Sequence, residues 1–288
     1  MFERLVATGH QVIMLNTQYR MAPEISKFPS KMFYNGKLKD GKSVVDNSKV
    51  PSYIKVTSES NVVPLHGVTL ENGGTVEQSD LMTPLLEHLM FFDVKSEESQ
   101  GKMSRSNIQE VHMCVKLLRL LVAEAYKFNN GSLGSIGIIT PYAEQLLALK
   151  KSFQMNSIVT GMELSNLLDP RMRDNIPQNQ CIGNCLDIEL NTVDGFQGRE
   201  KDIILISCVR ANDQGSIGFL SDKRRMNVAL TRAKYGMFVI GNSLTLKGNE
   251  MWKKFIEHTE EQKVLYSFEN IQQLNLGKEI KDQQCKRN

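Results

Sequence analysis

The sequence has little that would place the protein in or across a membrane. No window reaches the roughly 18 uninterrupted apolar residues that a transmembrane helix needs. The opening residues, MFERLVATGH, carry charge where a signal peptide has its apolar stretch. We therefore expect no membrane partner and an intracellular protein, in the nucleus or the cytoplasm.

Cysteines are also few, and their arrangement argues against a disulfide framework. An odd number of cysteines, widely spread, favours a reducing compartment; they are Cys114, Cys181, Cys185, Cys208 and Cys285. The C-x3-C spacing of Cys181 and Cys185 is followed by no second pair and no histidine cluster. The sequence therefore predicts no metal site.

The excess of positive over negative charge is also small. The formal net charge is +3 over 288 residues, so no strong field over the whole surface indicates a nucleic-acid partner. Any basic site must be local. With 41% hydrophobic and 23% charged residues, the composition is that of a globular chain with a sizeable core. Nothing indicates obligate assembly, so we expect a monomer.

One phosphate-binding pattern is present, but its surroundings do not fit. Residues 36–43, GKLKDGKS, satisfy G-x4-G-K-[ST]. That loop binds phosphate only between a strand and a helix, where backbone amides converge. Here FPSKMFYNG precedes it, and SVVDNSKVPSY follows. We interpret the stretch as a solvated turn; a nucleotide-binding role would predict that Lys42→Ala loses nucleotide affinity.

The hydrophobic pattern alternates between strands and helices. Short apolar runs predict strands at 11–15, 89–94, 135–140, 186–192, 203–209 and 237–241. Helical spacing predicts helices at 2–7, after Pro141 and at about 221–233, and a helix at 23–33 that is kinked or broken at Pro29. A further helix is predicted to begin at a capping pattern formed by Ser106 and Gln109 and to end at about residue 129. Such alternation predicts an α/β fold, with a mostly parallel sheet and helices on both faces.

The remaining segments are predicted to be peripheral. Residues 36–104 are predicted to be irregular around the strand at 89–94, and residues 152–184 to form a mobile surface insertion. Residues 248–288 should add a last helix and a disordered polar tail. The main domain is thus expected to occupy residues 1–247.

Motifs in four separated places share an order with a known family. They are QYRM at 18–21, ITPYAEQ at 139–145, TVDGFQGRE at 192–200 and SDKRRMNVALTRAKYG at 221–236. Over about residues 1–247 the chain resembles the second RecA-like domain of superfamily 1 helicases of the up-frameshift and senataxin-like group. The resemblance implies a RecA-like, P-loop NTPase-like fold without a P-loop of its own. It departs from the family where His-Pro usually follows QYRM, since this chain has Ala22-Pro23.

The resemblance implies an ATP-facing set of residues. Arginines suit a developing phosphoryl charge because their fork stays charged and pairs with phosphate oxygens. The matching positions are Arg20 and Arg232, with Gln197 and Gly198 on the γ-phosphate side, Tyr19 at the adenine and Glu200 at a ribose hydroxyl; Gln18 is a further nucleotide-binding residue. Solvated or structural arginines, a core tyrosine and a glutamate that caps a turn are the alternatives.

A set of residues that would contact single-stranded nucleic acid is expected at the other rim of the same sheet. Loops after strands offer hydroxyls and amides to successive phosphates of a single strand; the residues are Thr140, Pro141, Tyr142, Thr192 and Val193. Tyr142 could equally be a buried cap on its helix. The basic run Lys223, Arg224 and Arg225 could be a solvated face, a domain interface or a nucleic-acid contact.

The resemblance implies the C-terminal half of an ATP-dependent, 5′-to-3′ RNA or DNA helicase, and the 5′-to-3′ polarity rests on the resemblance alone. A first RecA-like domain of the same enzyme would hold most of the ATP and Mg²⁺, and single-stranded nucleic acid would be the other partner. The chain alone should hydrolyse ATP negligibly, because the lysine and Mg²⁺ ligands are missing from it. The alternative is a non-enzymatic module that binds single strands or a protein.

Overall fold

The computed structural model describes residues 2–55, 63–64, 81–82, 85–101, 104–128, 133–155 and 187–287. The helices are α1 Phe2–Ala7, α2 Pro23–Phe33, α3 Lys42–Val45, α4 Ile108–Phe128, α5 Ala143–Met155, α6 Lys223–Leu230, α7 Ser243–Leu246, α8 Glu250–Glu261 and α9 Leu276–Cys285. Short 3-10 helices span Asn47–Lys49, Asp194–Phe196 and Gly218–Ser221.

The strands fall into one large sheet and several short pairs. They are β1 Thr17–Gln18, β2 Lys39–Asp40, β3 Ile54–Lys55, β4 Val63–Pro64, β5 Leu81–Met82, β6 Leu86–Glu87, β7 Leu89–Val94, β8 Ser99–Gln100, β9 Arg105–Ser106, β10 Ser135–Thr140, β11 Asp187–Thr192, β12 Lys201–Ser207, β13 Ala233–Gly241 and β14 Leu265–Phe268. The large sheet has six strands in the order β11-β10-β12-β13-β7-β14.

Every neighbouring pair in the large sheet is parallel. Parallel strands need crossover connections that place helices on the faces. Helices α4, α5 and α9 cover one face, while α2, α6 and α8 cover the other. This arrangement confirms the predicted α/β fold, and it explains why runs such as 203–206 are apolar at every position.

One connection in the sheet is unusually short. The strands β11 and β12 flank β10, so residues 193–200 cross over β10 with only the turn Asp194–Phe196. The fully buried Phe196 packs over Gly137 of β10, where an added Cβ would lie 2.6 Å from the Phe196 Cζ and from the Ile204 Cδ1. A glycine at this position therefore lets the crossover lie flat on the sheet.

Substitution of this glycine tests the crossover. Gly137→Ala is expected to lower the free energy of unfolding by about 1–3 kcal/mol, because the methyl group overpacks the contact. Gly277→Ala in α9 is the matched control, since an added Cβ there meets only Leu120 Cδ1 at 3.4 Å and Leu85 Cδ1 at 3.8 Å. It should change the free energy of unfolding by less than about 0.5 kcal/mol, because Gly277 is the second residue of α9, where helix propensity counts less than in a helix interior. Urea unfolding measures both changes. A loss of unfolding free energy in Gly277→Ala as large as that in Gly137→Ala would contradict this packing.

The strand predicted at 11–15 is wrong. These residues have no regular structure, and Ile13 and Leu15 are 83% and 86% exposed. An apolar run forms a strand only beside a partner strand, and among the described residues it has none; the neighbouring β1 spans only Thr17–Gln18 and pairs with β2. The helix at 23–33 runs through Pro29 as one element.

The cap of α4 is also corrected. Asn107, not Ser106, caps the helix, because the Asn107 Oδ1 accepts hydrogen bonds from the backbone N–H groups of Gln109 and Glu110. Ser106 lies in β9. An asparagine amide serves this purpose as well as a serine hydroxyl, so the capping-box pattern pointed to the neighbouring residue.

The C-terminal segment is more ordered than predicted. The strand β14 pairs with β7 inside the large sheet, and α9 occupies most of the tail predicted to be disordered. That prediction is wrong because Leu276 and Ile280, one helical turn apart, are buried in the core beside α4. The Asn275 side chain caps the helix at Lys278. Of the predicted insertion at 152–184, residues 152–155 complete α5 and the rest lies outside the described residues.

Candidate functional site

The predicted site residues lie at opposite edges of the large sheet. Thr140 and Thr192 end the parallel strands β10 and β11 and face each other in register. Glu200 and Arg232 directly precede β12 and β13, whose first residues are paired. Because these strands are parallel, one set lies at their carboxyl ends and the other at their amino ends, as expected for two rims of one sheet.

Arg20 is fixed at the amino edge by two contacts. Its Nε lies 2.5 Å from the Glu200 Oε2, and its Nη1 donates to the Thr231 carbonyl at 3.0 Å. The Gln18 side chain holds the turn that carries it, since Oε1 accepts from the backbone N–H groups of Arg20 and Met21. In the structure Gln18 thus positions Arg20 through the backbone.

Arg232 lies just beyond α6 and is held by oxygen atoms that carry no charge. The expectation that it sits inside a helix at 221–233 is wrong, since α6 ends at Leu230. Its Nε donates to the Val228 carbonyl at 2.9 Å, its Nη1 to the Arg199 carbonyl at 3.3 Å and its Nη2 to the Thr231 Oγ1 at 2.9 Å. Burial lowers the pKa of the Arg232 guanidinium, and the positive charge of Arg20 lowers it further.

Glu200 is the carboxylate between these cations. The hydrogen bond from Arg20 is the main cause that lowers the pKa of Glu200, and Lys234, with its Nζ 3.7 Å from Oε1, adds to it. Lys234 also lies 3.5 Å from Asp202. Within the described ranges, the ion pairs leave Arg232 without a carboxylate partner. The edge therefore has positive charge that an anion could balance.

Tyr19 is placed differently from a core residue. Its side chain is 69% exposed, and its ring lies where a Cβ on Gly41 would come within 2.3 Å of it. The core alternative for Tyr19 is therefore wrong in this structure. Gln197 and Gly198 are exposed on the crossing segment 193–200, and Gly198 has a φ of +81°, which glycine adopts without strain.

The residues of the P-loop-like pattern do not form a phosphate cradle. Helix α2 precedes them, and the two-residue strand β2 pairs with β1. The backbone N–H of Gly41 donates to the Gln18 carbonyl, so this amide is already used. Only the single turn α3 follows. These flanks lack the strand and the helix that the binding mechanism needs.

At the carboxyl edge, the threonine hydroxyls hold the two loops in shape. The Thr140 Oγ1 accepts from the Tyr142 N–H at 3.4 Å, and the Thr192 Oγ1 accepts from the Gly195 N–H at 3.2 Å. The Val193 N–H donates to the Thr140 carbonyl, which joins the loops. Val193 is buried and Pro141 is half-buried.

Tyr142 is buried, at 3% exposure. Its hydroxyl donates to the Ile217 carbonyl and lies 3.4 Å from the Arg210 Nη1. The structure therefore agrees with the alternative in which Tyr142 caps its helix as a packed residue. Its ring cannot contact a single strand of nucleic acid unless the loop 217–219 moves.

Beside this edge lies a groove of about 920 Å³ that contains a buried ion pair. The Arg210 Nε lies 2.7 Å from the Glu98 Oε2, and both side chains are almost fully buried. Glu98 also accepts hydrogen bonds from Arg105 and from the Ala211 N–H. Sequence reasoning missed these residues, because Glu98 lies in a polar stretch of no particular pattern.

A second buried carboxyl lies beneath the same loops. The Glu110 Oε2 accepts from the Ser207 hydroxyl at 2.6 Å and from the Val209 N–H at 2.8 Å. Val209 has a φ of 72°, a strained conformation for a β-branched residue. Gln145 joins this network by donating to Ser207 and to the Asn107 carbonyl. The network thus connects the starts of α4 and α5 to the end of β12.

Glu110 should make stability depend on pH. Burial raises the pKa of its carboxyl from 4.5 to about 8, although the hydrogen bonds oppose this change. The folded state then binds a proton that the unfolded state has released, so the free energy of unfolding should fall as pH rises from about 5 to 8. Urea unfolding at several pH values should show this slope in the parent chain and a flatter one in Glu110→Gln. Equal slopes would contradict it.

Two further properties concern metals and membranes. Among the described residues, no group of three or more His, Cys, Asp or Glu side chains could hold a metal ion. In the same part of the chain, every helix is too short or too polar to cross a bilayer.

Comparison with known proteins identifies the family of this chain. A protein family described as an AAA domain matches residues 1–244. "Probable helicase MAGATAMA 3" of Arabidopsis thaliana is 36% identical over 92% of this chain and 26% of its own length. The ATP-dependent helicase NAM7 of Saccharomyces cerevisiae is 34% identical over 94% of this chain and 23% of its own.

A third relative matches a similar share of this chain. Helicase SEN1 of Saccharomyces cerevisiae is 35% identical over 88% of this chain and 9% of its own length. The chain thus spans about a quarter or less of the curated relatives described here. It belongs to the AAA-domain family, as the second RecA-like domain of the up-frameshift and senataxin-like group of superfamily 1 helicases.

Proposed function

We propose that the chain is the second RecA-like half of an ATP-dependent helicase and supplies Arg20 and Arg232 to ATP held by a first RecA-like domain. The observation that carries this proposal is the charge at the amino edge. Two guanidinium groups lie close enough for one to lower the pKa of the other, and Arg232 is held by neutral oxygens. A γ-phosphate would balance that charge.

The chemistry fits this arrangement. Phosphoryl transfer builds negative charge on the transferring oxygens, and fixed positive groups stabilise it most where water is partly excluded. Arg232 is half-buried, and its orientation is set by the backbone. The chain has no carboxylate cluster for Mg²⁺ among the described residues, so we assign Mg²⁺ and the β-phosphate to the first domain.

The other predicted residues have positions that suit their proposed roles. The exposed ring of Tyr19 is available to stack on adenine. Glu200 can exchange its contact with Arg20 for a ribose hydroxyl when the arginine turns to phosphate. Gln197 and Gly198, exposed on the crossing segment, face solvent where a γ-phosphate or its attacking water would be placed.

We further propose that the carboxyl edge grips single-stranded RNA or DNA through the loops after Thr140 and Thr192. The short crossing segment 193–200 connects this grip directly to Glu200, with no intervening α-helix. A change in the ATP contacts of Glu200 would therefore shift the Thr192 loop. Repeated closure of the two domains would then move the protein along the bound nucleic-acid strand in the 5′-to-3′ direction.

ATP turnover with and without single-stranded RNA tests this function. The chain alone should be silent, and the chain joined to the first RecA-like domain of a relative should turn over ATP when the strand is present. Turnover by the isolated, pure chain would contradict the proposal. Tight strand binding together with silence in the joined protein would support the alternative, a non-enzymatic binding module.

A further inference from the structure

An aromatic side chain near the loops after Thr140 and Thr192 is exposed to solvent. Phe219 lies in the 3-10 helix Gly218–Ser221, and its side chain is 56% exposed. Gly218 before it has a φ of +51°, and a Cβ there would lie 2.4 Å from the Arg210 Nη1 and 2.8 Å from the Tyr142 hydroxyl. The turn is therefore pressed against the buried Arg210 and Tyr142 while Phe219 projects outward.

Two side chains, those of Tyr142 and Arg225, contact the Phe219 ring. The Tyr142 ring lies 5.6 Å away, centroid to centroid, in a tilted arrangement. The Arg225 guanidinium carbon lies 5.4 Å from the Phe219 centroid. Arg225 is in turn fixed to Asp194 by hydrogen bonds of 3.0 and 2.8 Å.

These contacts place Phe219 between the two proposed strand-binding loops. Tyr142 directly follows Thr140 and Pro141, and Asp194 directly follows Thr192 and Val193. The ring thus lies near both loops that we propose contact the phosphates of a single-stranded nucleic acid. The exposed cations of Lys223 and Arg224 follow closely along the chain, so the surroundings favour a polyanion over an apolar protein surface.

We propose that Phe219 is a stacking platform for one unpaired base of the bound strand. An aromatic face accepts any base, which suits a protein that moves along a strand without reading its sequence. The platform is preorganised because Tyr142 and Arg225 already fix the ring. This inference rests on the proposed strand-binding function and adds a contact to bases where the two loops offer contacts to phosphates.

Strand affinity at several salt concentrations tests the platform. With a fluorescently labelled single-stranded oligonucleotide, Phe219→Ala should weaken binding by about 5- to 100-fold, the range that corresponds to loss of one stacked base. The salt dependence should stay unchanged, because no ionic contact is lost. Lys223→Ala, which removes an exposed cation outside the platform, should instead reduce the slope of log K against log salt by about one. Leu147→Ala, also an exposed apolar residue, is the matched control and should bind like the parent.

A second readout measures stacking directly. In Phe219→Trp the new indole should keep the affinity, and its fluorescence should be quenched by a normal strand but not by a strand of abasic sites. Trp252, the only native tryptophan, is buried and donates to the Leu220 carbonyl beside Phe219, so its emission in the parent chain with each strand is measured and subtracted. Parent-like binding by Phe219→Ala, or equal quenching by both strands, would overturn the platform alone. Failure of the parent chain to bind any strand would overturn the proposed strand-binding function as well.

Discussion

Replacement of Arg232 with alanine is expected to lower strand-stimulated ATP turnover of the joined two-domain protein by about 10³-fold, the scale of a lost arginine finger. The loss should appear mainly in kcat, because the contact strengthens as charge develops on the transferring phosphoryl group. Steady-state ATPase assays with saturating single-stranded RNA measure it. Arg232→Lys should recover little, since an ammonium cannot reproduce the fork.

The control for this substitution is another arginine on a different face. Arg119 lies on α4 and is exposed, and Arg119→Ala should leave kcat within about twofold of the parent. Melting temperatures should show that Arg232→Ala remains folded. Parental kcat in folded Arg232→Ala would show that the guanidinium has only a structural role.

Replacement of Glu98 with alanine is expected to cost about 3–5 kcal/mol of unfolding free energy, because it leaves the buried Arg210 without its carboxylate. The Arg210 side chain is only 5% exposed, so little water reaches the guanidinium to replace the lost contact. Glu98 also accepts from the Ala211 N–H, which adds an unsatisfied buried donor. Urea unfolding measures the change.

Two comparisons separate charge burial from general damage. The double variant Glu98→Met with Arg210→Met removes both charges and should recover much of the loss. Glu269→Ala breaks a pair with Lys95 of similar length, 2.6 Å, in which Glu269 is 79% and Lys95 58% exposed; its effect on stability should be small, because water solvates both charges. A cost for Glu98→Ala no larger than that of Glu269→Ala would contradict the buried-pair account.

The strands of the large sheet could be predicted because their signal is local. Residues 89–94 and 203–206 are apolar at nearly every position, which is the pattern of parallel strands buried on both faces. What failed depends on partners far away in sequence. Residues 11–15 have the same apolar character but no neighbouring strand among the described residues, and the tail is ordered only because two apolar residues meet α4.

The site could be predicted only as far as its motifs reach. Arg20, Glu200 and Arg232 lie within them, and the structure brings these residues together across nearly the whole chain. Phe219 and Glu110 could not be found in this way. One is defined by exposure between two loops and the other by burial under them, and both properties exist only in the folded chain.

We propose that Arg20 and Arg232 respond to the γ-phosphate of an ATP held by another domain. The most direct measurement is the affinity of this chain for a first RecA-like domain with a non-hydrolysable ATP analogue or with ADP, each with Mg²⁺. We predict tighter association with the analogue in the parent chain and no difference between the nucleotides in Arg20→Ala with Arg232→Ala. Equal affinity with both nucleotides in the parent chain would contradict the claim.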